Sequence, residues 1–409
     1  MKLNILRLIV AALCCASALM LIANVRAQKS LPTHPELGVS PTTLGIATPA
    51  QTPTTAQERT LGQVGKNIKV LNDLPASQEG TVMNFFAASM GRRCDFCHAV
   101  VDGKLVFDSD TKPEKETARS MIKMVLAINK DNFKGNTSVS CYTCHRGRNQ
   151  PLSIPALPLP TPVPRPQPAP SPAAGQPAPS PTPRPAGPTA DQIVAKYVDA
   201  IGGAAAIDKI KTVVLKGTVA GFNGAEASHE VDLASPDKFD VVVTTPQGTN
   251  ERAFDGKVGW QKTPRGVIEI GNPVMDSMKL MFLPYRNVKL RDQFASLRLG
   301  GRDRIGDRDV VIVTGRAADN HRERLFFDAE TGLLLRRISY LETMIGVIPE
   351  QFDFEDYRDV DGVNLPFTIR VSSVEPGLTS TSKFSEIKLN TPVDDSKFKM
   401  PAAPAKTTP

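Results

Sequence analysis

The sequence predicts a multidomain chain. An α-helical module spans residues 61–150, a proline-rich linker covers 151–188, and an α+β domain with a large curved antiparallel sheet covers 189–401. Three observations predict this layout. The pattern helix, loop, Cys-x-x-Cys-His occurs twice in the first part, as an internal repeat. From Pro158 to Pro172 every second residue is proline, which neither a helix nor a strand ladder tolerates. Beyond it, many strand-type runs are punctuated by the turn signals Asp255-Gly256, Thr331-Gly332 and Asp361-Gly362.

The chain opens on an export signal. Lys2 and Arg7 precede an apolar run at 9–22, and Val25-Arg26-Ala27 offers a small-x-small cleavage site, so residues 1–27 read as a signal peptide. Two alternatives stay open. Leu13-Cys14 is faintly lipobox-like, and the apolar run, slightly short for a bilayer span, is otherwise retained as an anchor. Residues 28–60 are rich in Pro, Thr, Ser and Ala and form a flexible lead, in which His34 is solvated. At 409 residues and 41% hydrophobic content the chain has room for more than one core. A net charge of +7 suits an acidic partner or an anionic membrane surface. No basic block with interleaved aromatics points to nucleic acid.

The helical module carries the chemistry. A helix over 75–90 places Val82, Met83, Phe86 and Met90 on one face and stops at Gly91. Cys94-Asp95-Phe96-Cys97-His98 follows at once. Residues 99–110 read as a loop, and Thr111 to Glu114 as a capping box opening a helix to about 129. Its apolar stripe is Ala118, Met121, Ile122, Val125 and Ile128. Cys141-Tyr142-Thr143-Cys144-His145 completes the second unit.

Two thiols about one helical turn apart can add to the two vinyl groups on one edge of a porphyrin. The next residue, a histidine, then lies under the iron as an axial ligand. The reading is two covalently attached haem c groups on Cys94, Cys97, Cys141 and Cys144, with His98 and His145 as iron ligands. A four-cysteine zinc site or two disulfides are the alternatives. Zinc would leave both histidines without a role, and a disulfide framework does not call for a histidine after each pair. Cys14 and Cys15 leave with the signal peptide, so haem accounts for every remaining thiol. A thioether as sixth ligand favours reduced iron and suits an electron carrier. Met83 and Met121, each on the apolar face of the helix before a motif, are the candidates. Core filling is the ordinary role of such methionines.

Over about residues 60–150 the chain resembles the cytochrome c subunit of photosynthetic reaction centres. The resemblance rests on residues 67–74 (Asn67-Ile68-Lys69-Val70-Leu71-Asn72-Asp73-Leu74), the Met83 helix and the first motif. It continues through Met121-Ile122-Lys123-Met124, Ile128-Asn129 and Val139 to Gly147. It implies that each haem is held by two cysteines, the following histidine and a methionine of the preceding helix, which falls on Met83 and Met121. The family subunit has four haems, and this chain has two motifs. The family also has a haem-ligating histidine ahead of its second motif, where this chain reads Asp131-Asn132-Phe133-Lys134.

The linker is a semi-rigid polyproline II spacer. A capping box from Thr189 to Gln192 then opens a helix with Ile193, Val194, Tyr197, Val198 and Ile201, and a short second helix covers 204–210. Strands are expected at 212–219, 230–233, 238–244, 251–255, 258–262, 288–290, 297–299, 308–314, 322–328, 333–341, 350–360, 365–373 and 380–389, with a helical patch at 275–281. This strand pattern is similar to outer-membrane lipoprotein carriers and related periplasmic domains, which implies a concave apolar groove for a lipid or lipoprotein. His229 and His321 read as surface residues, and Asp353, Glu355 and Asp356 as a solvated face. Residues 402–409 are a tail.

No catalytic constellation is visible. The expected role is a periplasmic electron carrier with a redox protein partner, soluble or membrane-bound. Arg92, Arg93, Arg146 and Arg148 flank the motifs as steering charges, as propionate partners or as ordinary surface. The alternatives are a haem sensor or enzyme with an open axial site, and an envelope-binding protein with a tethered redox module.

Overall fold

The computed structural model describes residues 58–154, 187–221, 224–263, 266–285, 290–374 and 379–401. The signal peptide, most of the flexible lead, most of the proline-rich linker and the tail lie outside the described residues. Among the described residues no helix is long and apolar enough to cross a membrane.

Leu61–Val64 (α1) is a single turn, and Glu79–Met90 (α2) ends at Gly91. Gly91 adopts φ 61°, the left-handed conformation that lets glycine close a helix. Pro113–Asn132 (α3) starts one residue later than the capping-box reading. Lys112 is the N-cap, and Pro113 occupies the first turn, where its missing N–H costs nothing. Thr111 bonds the Ser109 hydroxyl instead. Cys141–His145 (α4) is the second motif itself, capped by Ser140. The expected loop at 99–110 contains a small hairpin, Ala99–Val101 (β1) and Lys104–Val106 (β2), turning at Asp102-Gly103. Both turn residues have positive φ, 51° and 73°, the signature of a two-residue hairpin turn.

Ala190–Ala200 (α5) forms the expected capping box, with Gln192 N–H donating to Thr189 Oγ1. Ala204–Ile207 (α6) follows. Then come Thr212–Gly221 (β3), Glu226–Ala234 (β4), Lys238–Thr245 (β5), Gly248–Phe254 (β6), Gly259–Thr263 (β7) and Gly266–Ile270 (β8). After the helix Asn272–Met281 (α7) come Ser296–Ile305 (β9), Arg308–Arg316 (β10), Arg322–Asp328 (β11), Leu334–Thr343 (β12), Gly346–Val360 (β13), Val363–Ser373 (β14) and Ser380–Leu389 (β15). They form one 13-stranded antiparallel sheet in the order β8-β7-β6-β5-β4-β3-β15-β14-β13-β12-β11-β10-β9. Two meanders thus meet at the β3–β15 pair, where Leu389 faces Val213 and Ser380 faces Gly221. The sequence reading missed β8, and Leu290 begins a 3-10 turn rather than ending a strand.

One core joins the sheet to α5 and α7. Ile193, Val194 and Tyr197 of α5 are buried, and the Tyr197 ring sits 5.7 Å from that of Phe327. Phe282, Leu283, Tyr285 and Phe294 fill the same space. Tyr285 donates its buried hydroxyl to the Pro366 carbonyl, so the ring carries no unpaired polar tip into the core.

Three surface readings need correction. His229 is 2% exposed, because alternation along β4 puts it on the same face as Val231 and Leu233. His321 is half-buried, with Nε2 2.9 Å from the Ser339 hydroxyl. Asp353 is buried and ion-paired to Arg336 at 2.5 Å, while Glu355 and Asp356 are exposed.

A second core belongs to the helical module. It contains Leu61, Leu71, Leu74, Val82, Phe85 and Ile122, together with Ile345 and Ile348 of the β12–β13 hairpin.

Candidate haem site

The two motifs sit on different local structures. Cys94–Phe96 is one 3-10 turn, and His98 N–H donates to the Cys94 carbonyl at 3.0 Å. Cys141–His145 is a true helical turn, and Arg146 caps it in the left-handed conformation. The two motifs are neighbours through α2. Gly147 N–H donates to the Ser89 carbonyl at 2.7 Å, and a Cβ on Gly91 would stand 2.2 Å from the Gly147 oxygen. No side chain fits at Gly91, so that glycine allows the end of α2 to meet the end of the second motif.

Cys94, Cys97, Cys141 and Cys144 are free thiols. Among the described residues they are not gathered into a cluster of three or more metal donors. Burial pushes the Cys97 thiol up, and Glu114 adds to the effect. Burial also pushes Cys141 up. A protonated thiol is the form that would carry its own proton into addition across a vinyl group.

The histidines differ. His145 Nδ1 lies 2.9 Å from the Arg148 carbonyl. That bond selects the tautomer with the proton on Nδ1 and leaves Nε2 free as a ligand. His98 Nδ1 is buried without a hydrogen bond, and its ring meets Phe107 edge-on at 5.1 Å. Burial lowers the His98 pKa, and the Lys115 charge lowers it further. A neutral imidazole is the form that binds iron.

One cavity of about 1720 Å³ is lined by all four cysteines and by His98 and His145. Met83, Met90, Met121 and Met124 line it too. Its volume exceeds the roughly 300–1,000 Å³ of a pocket for a single small molecule. Met121 is 44% and Met124 46% exposed, although Ile122 and Val125 of the α3 stripe are buried and Ala118 and Ile128 half-buried. Thioethers on a cavity wall, beside paired thiols and imidazoles, are the donors a covalent haem needs, so the residues present fit that group.

Sequence reasoning missed a charge cluster at this wall. Asp110 takes Lys69 at 2.7 Å, Lys115 at 3.1 Å and Arg119 at 2.9 Å. Arg119 is buried, and also bonds Glu116 and the Asn67 carbonyl. The Lys69 hydrogen bond, with those of Asn67, Lys115 and Arg119, holds the Asp110 carboxyl far below the usual range. Lys69 joins residues 110, 115 and 119 only in three dimensions, from 41 positions before Asp110. Arg92, one of the expected steering charges, lies instead over the Phe96 ring at 5.1 Å.

These groups define a module with the donor set of a c-type cytochrome, joined to an antiparallel-sheet domain. Residues 35–164 match the family model of the photosynthetic reaction centre cytochrome C subunit. The reaction center cytochrome c subunit of Roseobacter denitrificans is 34% identical over 98 residues, 22% of this chain and 26% of that one. Cytochrome c-554 of Chloroflexus aurantiacus is 33% identical over 86 residues, 19% of this chain and 20% of that one. The chain thus spans about a quarter or less of the length of the curated relatives it matches. The sheet domain is similar to a LolA superfamily protein from Nitrosomonas europaea, at 16% identity and a TM-score of 0.37, covering 52% of this chain and 98% of that one.

Proposed function

We propose that the chain is an exported, periplasmic dihaem c-type cytochrome that passes single electrons to and from a redox protein. The observation that carries this reading is the one cavity onto which both Cys-x-x-Cys-His motifs and the helix methionines open. Bound haem supplies an iron that cycles between ferric and ferrous states. The chain's own residues do the rest. The four thiols would anchor the porphyrins, His98 and His145 would present ring nitrogens to iron, and Met83 and Met121 would supply thioether ligands. Lys69, Lys115 and Arg119 outnumber the carboxylates they touch, which gives the wall by His98 a positive field suited to haem carboxylates.

The exposure of Met121 supports a second reading, in which one iron keeps an open position for a small ligand. Replacing Met121 with alanine separates the two. Loss of a thioether ligand lowers one reduction potential by on the order of 0.1 V, given that axial ligands tune haem over about 0.8 V. An unchanged visible spectrum and unchanged potentials would remove Met121 from the ligand set.

A lipid or lipoprotein at the sheet domain remains a further proposed partner. It would have to displace Tyr197, Phe282, Tyr285 and Phe294 from the helix-covered face, where they pack as core.

A further inference from the structure

Turns between strands ordinarily face water. The β12–β13 turn does not. Thr343 pairs with Gly346, which leaves a two-residue turn of Met344 and Ile345, both apolar. Ile345 is 0% exposed. It shares a core with Ile348 of β13 and with Leu61, Leu71, Leu74, Val82, Phe85 and Ile122 of the helical module. The turn is stiff: Thr343 Oγ1 donates to the Gly346 carbonyl at 2.7 Å and is itself buried.

Gly346 makes the closest approach. It holds φ 153°, which disfavours any side chain, and an added Cβ would stand 2.9 Å from Ser140 Cβ and 3.2 Å from Phe85 Cε1. Ser140 caps α4 and directly precedes Cys141. Phe85 lies on α2, two residues from Met83. The hairpin tip is therefore seated between the helix that carries one methionine and the start of the second motif.

We propose that the β12–β13 hairpin positions the second haem motif. Ile345 completes the core under α2, and Gly346 sets how closely Ser140, and with it Cys141 to His145, lies against that helix. Residues of the sheet domain are then part of one haem site, and a shift of the sheet reaches that iron through Ser140. This rests on the dihaem reading above.

The test is Gly346→Ala in the full-length haem-loaded protein, with Ile345→Val as the milder variant. Intact mass comes first, because a wild-type chain without two haems defeats the dihaem reading and not the hairpin. With both haems attached, redox titration is expected to move one of the two reduction steps, changing its reduced-to-oxidised ratio severalfold at a fixed poise. The other step stays in place. Two unmoved steps in variants that fold would overturn the proposal. Equal movement of both steps would also overturn it, since that is general loosening of the module. If Gly346→Ala does not fold, the same two outcomes are read from Ile345→Val.

Discussion

In the helical module, sulfur and imidazole side chains line a shared cavity, whereas in the sheet domain a buried ion pair between β11 and β12 turns inward on itself. Glu323 of β11, Arg337 and Ser339 of β12, and His321 just before β11 are neighbours. Arg337 meets Glu323 at 2.6 Å and 2.7 Å and reaches Gln293 at 3.0 Å. Burial alone would raise the Glu323 carboxyl, but Arg337 and His321 outweigh it and hold it below its ordinary value. Where a fold is built for a cofactor, its reactive groups are presented outward to a shared space. Where it is built on its own core, such groups must satisfy each other, because an unpaired buried charge is costly.

The largest expected effect tests the second half of that contrast. Arg337→Met leaves the 3%-exposed Glu323 with no guanidinium. Breaking one side of a buried pair costs roughly 3–5 kcal/mol, while replacing both sides is often near neutral. Arg337→Met with Glu323→Leu is therefore expected to recover most of the loss. Denaturant unfolding followed by Trp260 fluorescence reads this, because the chain has one tryptophan and it is buried in β7. A single variant as stable as wild type would show that the pair does not hold the sheet.

His229 sharpens the comparison through pH. Burial pushes its pKa down to about 4 from 6.5, and Nδ1 has no hydrogen bond. The folded state therefore binds fewer protons than the unfolded state between these values. Stability from this group is full above pH 6.5 and is lost as pH falls toward 4, by about 3 kcal/mol in total. His229→Phe is expected to flatten that slope in the Trp260 signal. An unchanged slope would mean that the imidazole is hydrated in solution.

Much of this was legible in sequence, and the exceptions share a cause. The motifs, α2, α3, α5 and most strands follow from spacing and local preference. The β1–β2 hairpin carried its own signal in Asp102-Gly103. His229 was hidden by its charged neighbour Glu230, although alternation with Val231 and Leu233 pointed inward. The Lys69–Asp110 contact joins residues 41 positions apart and the seat of Ile345 joins residues more than 200 apart, and no local pattern encodes such pairs. The apolar turn Met344-Ile345 was the one available hint, since an exposed turn has no use for two large apolar side chains.

The smallest expected effect brings the comparison back to the helical module. Asn129 is a buried polar side chain that faces protein and not the cavity. Its amide donates to the Val139 carbonyl at 2.7 Å and accepts from the Val139 N–H at 2.9 Å. It thereby ties the end of α3 to the strand of chain that enters the second motif. Asn129→Ala removes both bonds and leaves two backbone groups of Val139 without that partner, at a cost of roughly 2 kcal/mol. Haem absorbance during thermal unfolding is expected to shift to lower temperature, while the Trp260 signal stays in place. Equal shifts of both probes would show that the hairpin at Ile345 couples the two cores into one unfolding unit, and the contrast between the modules would then hold for chemistry but not for stability.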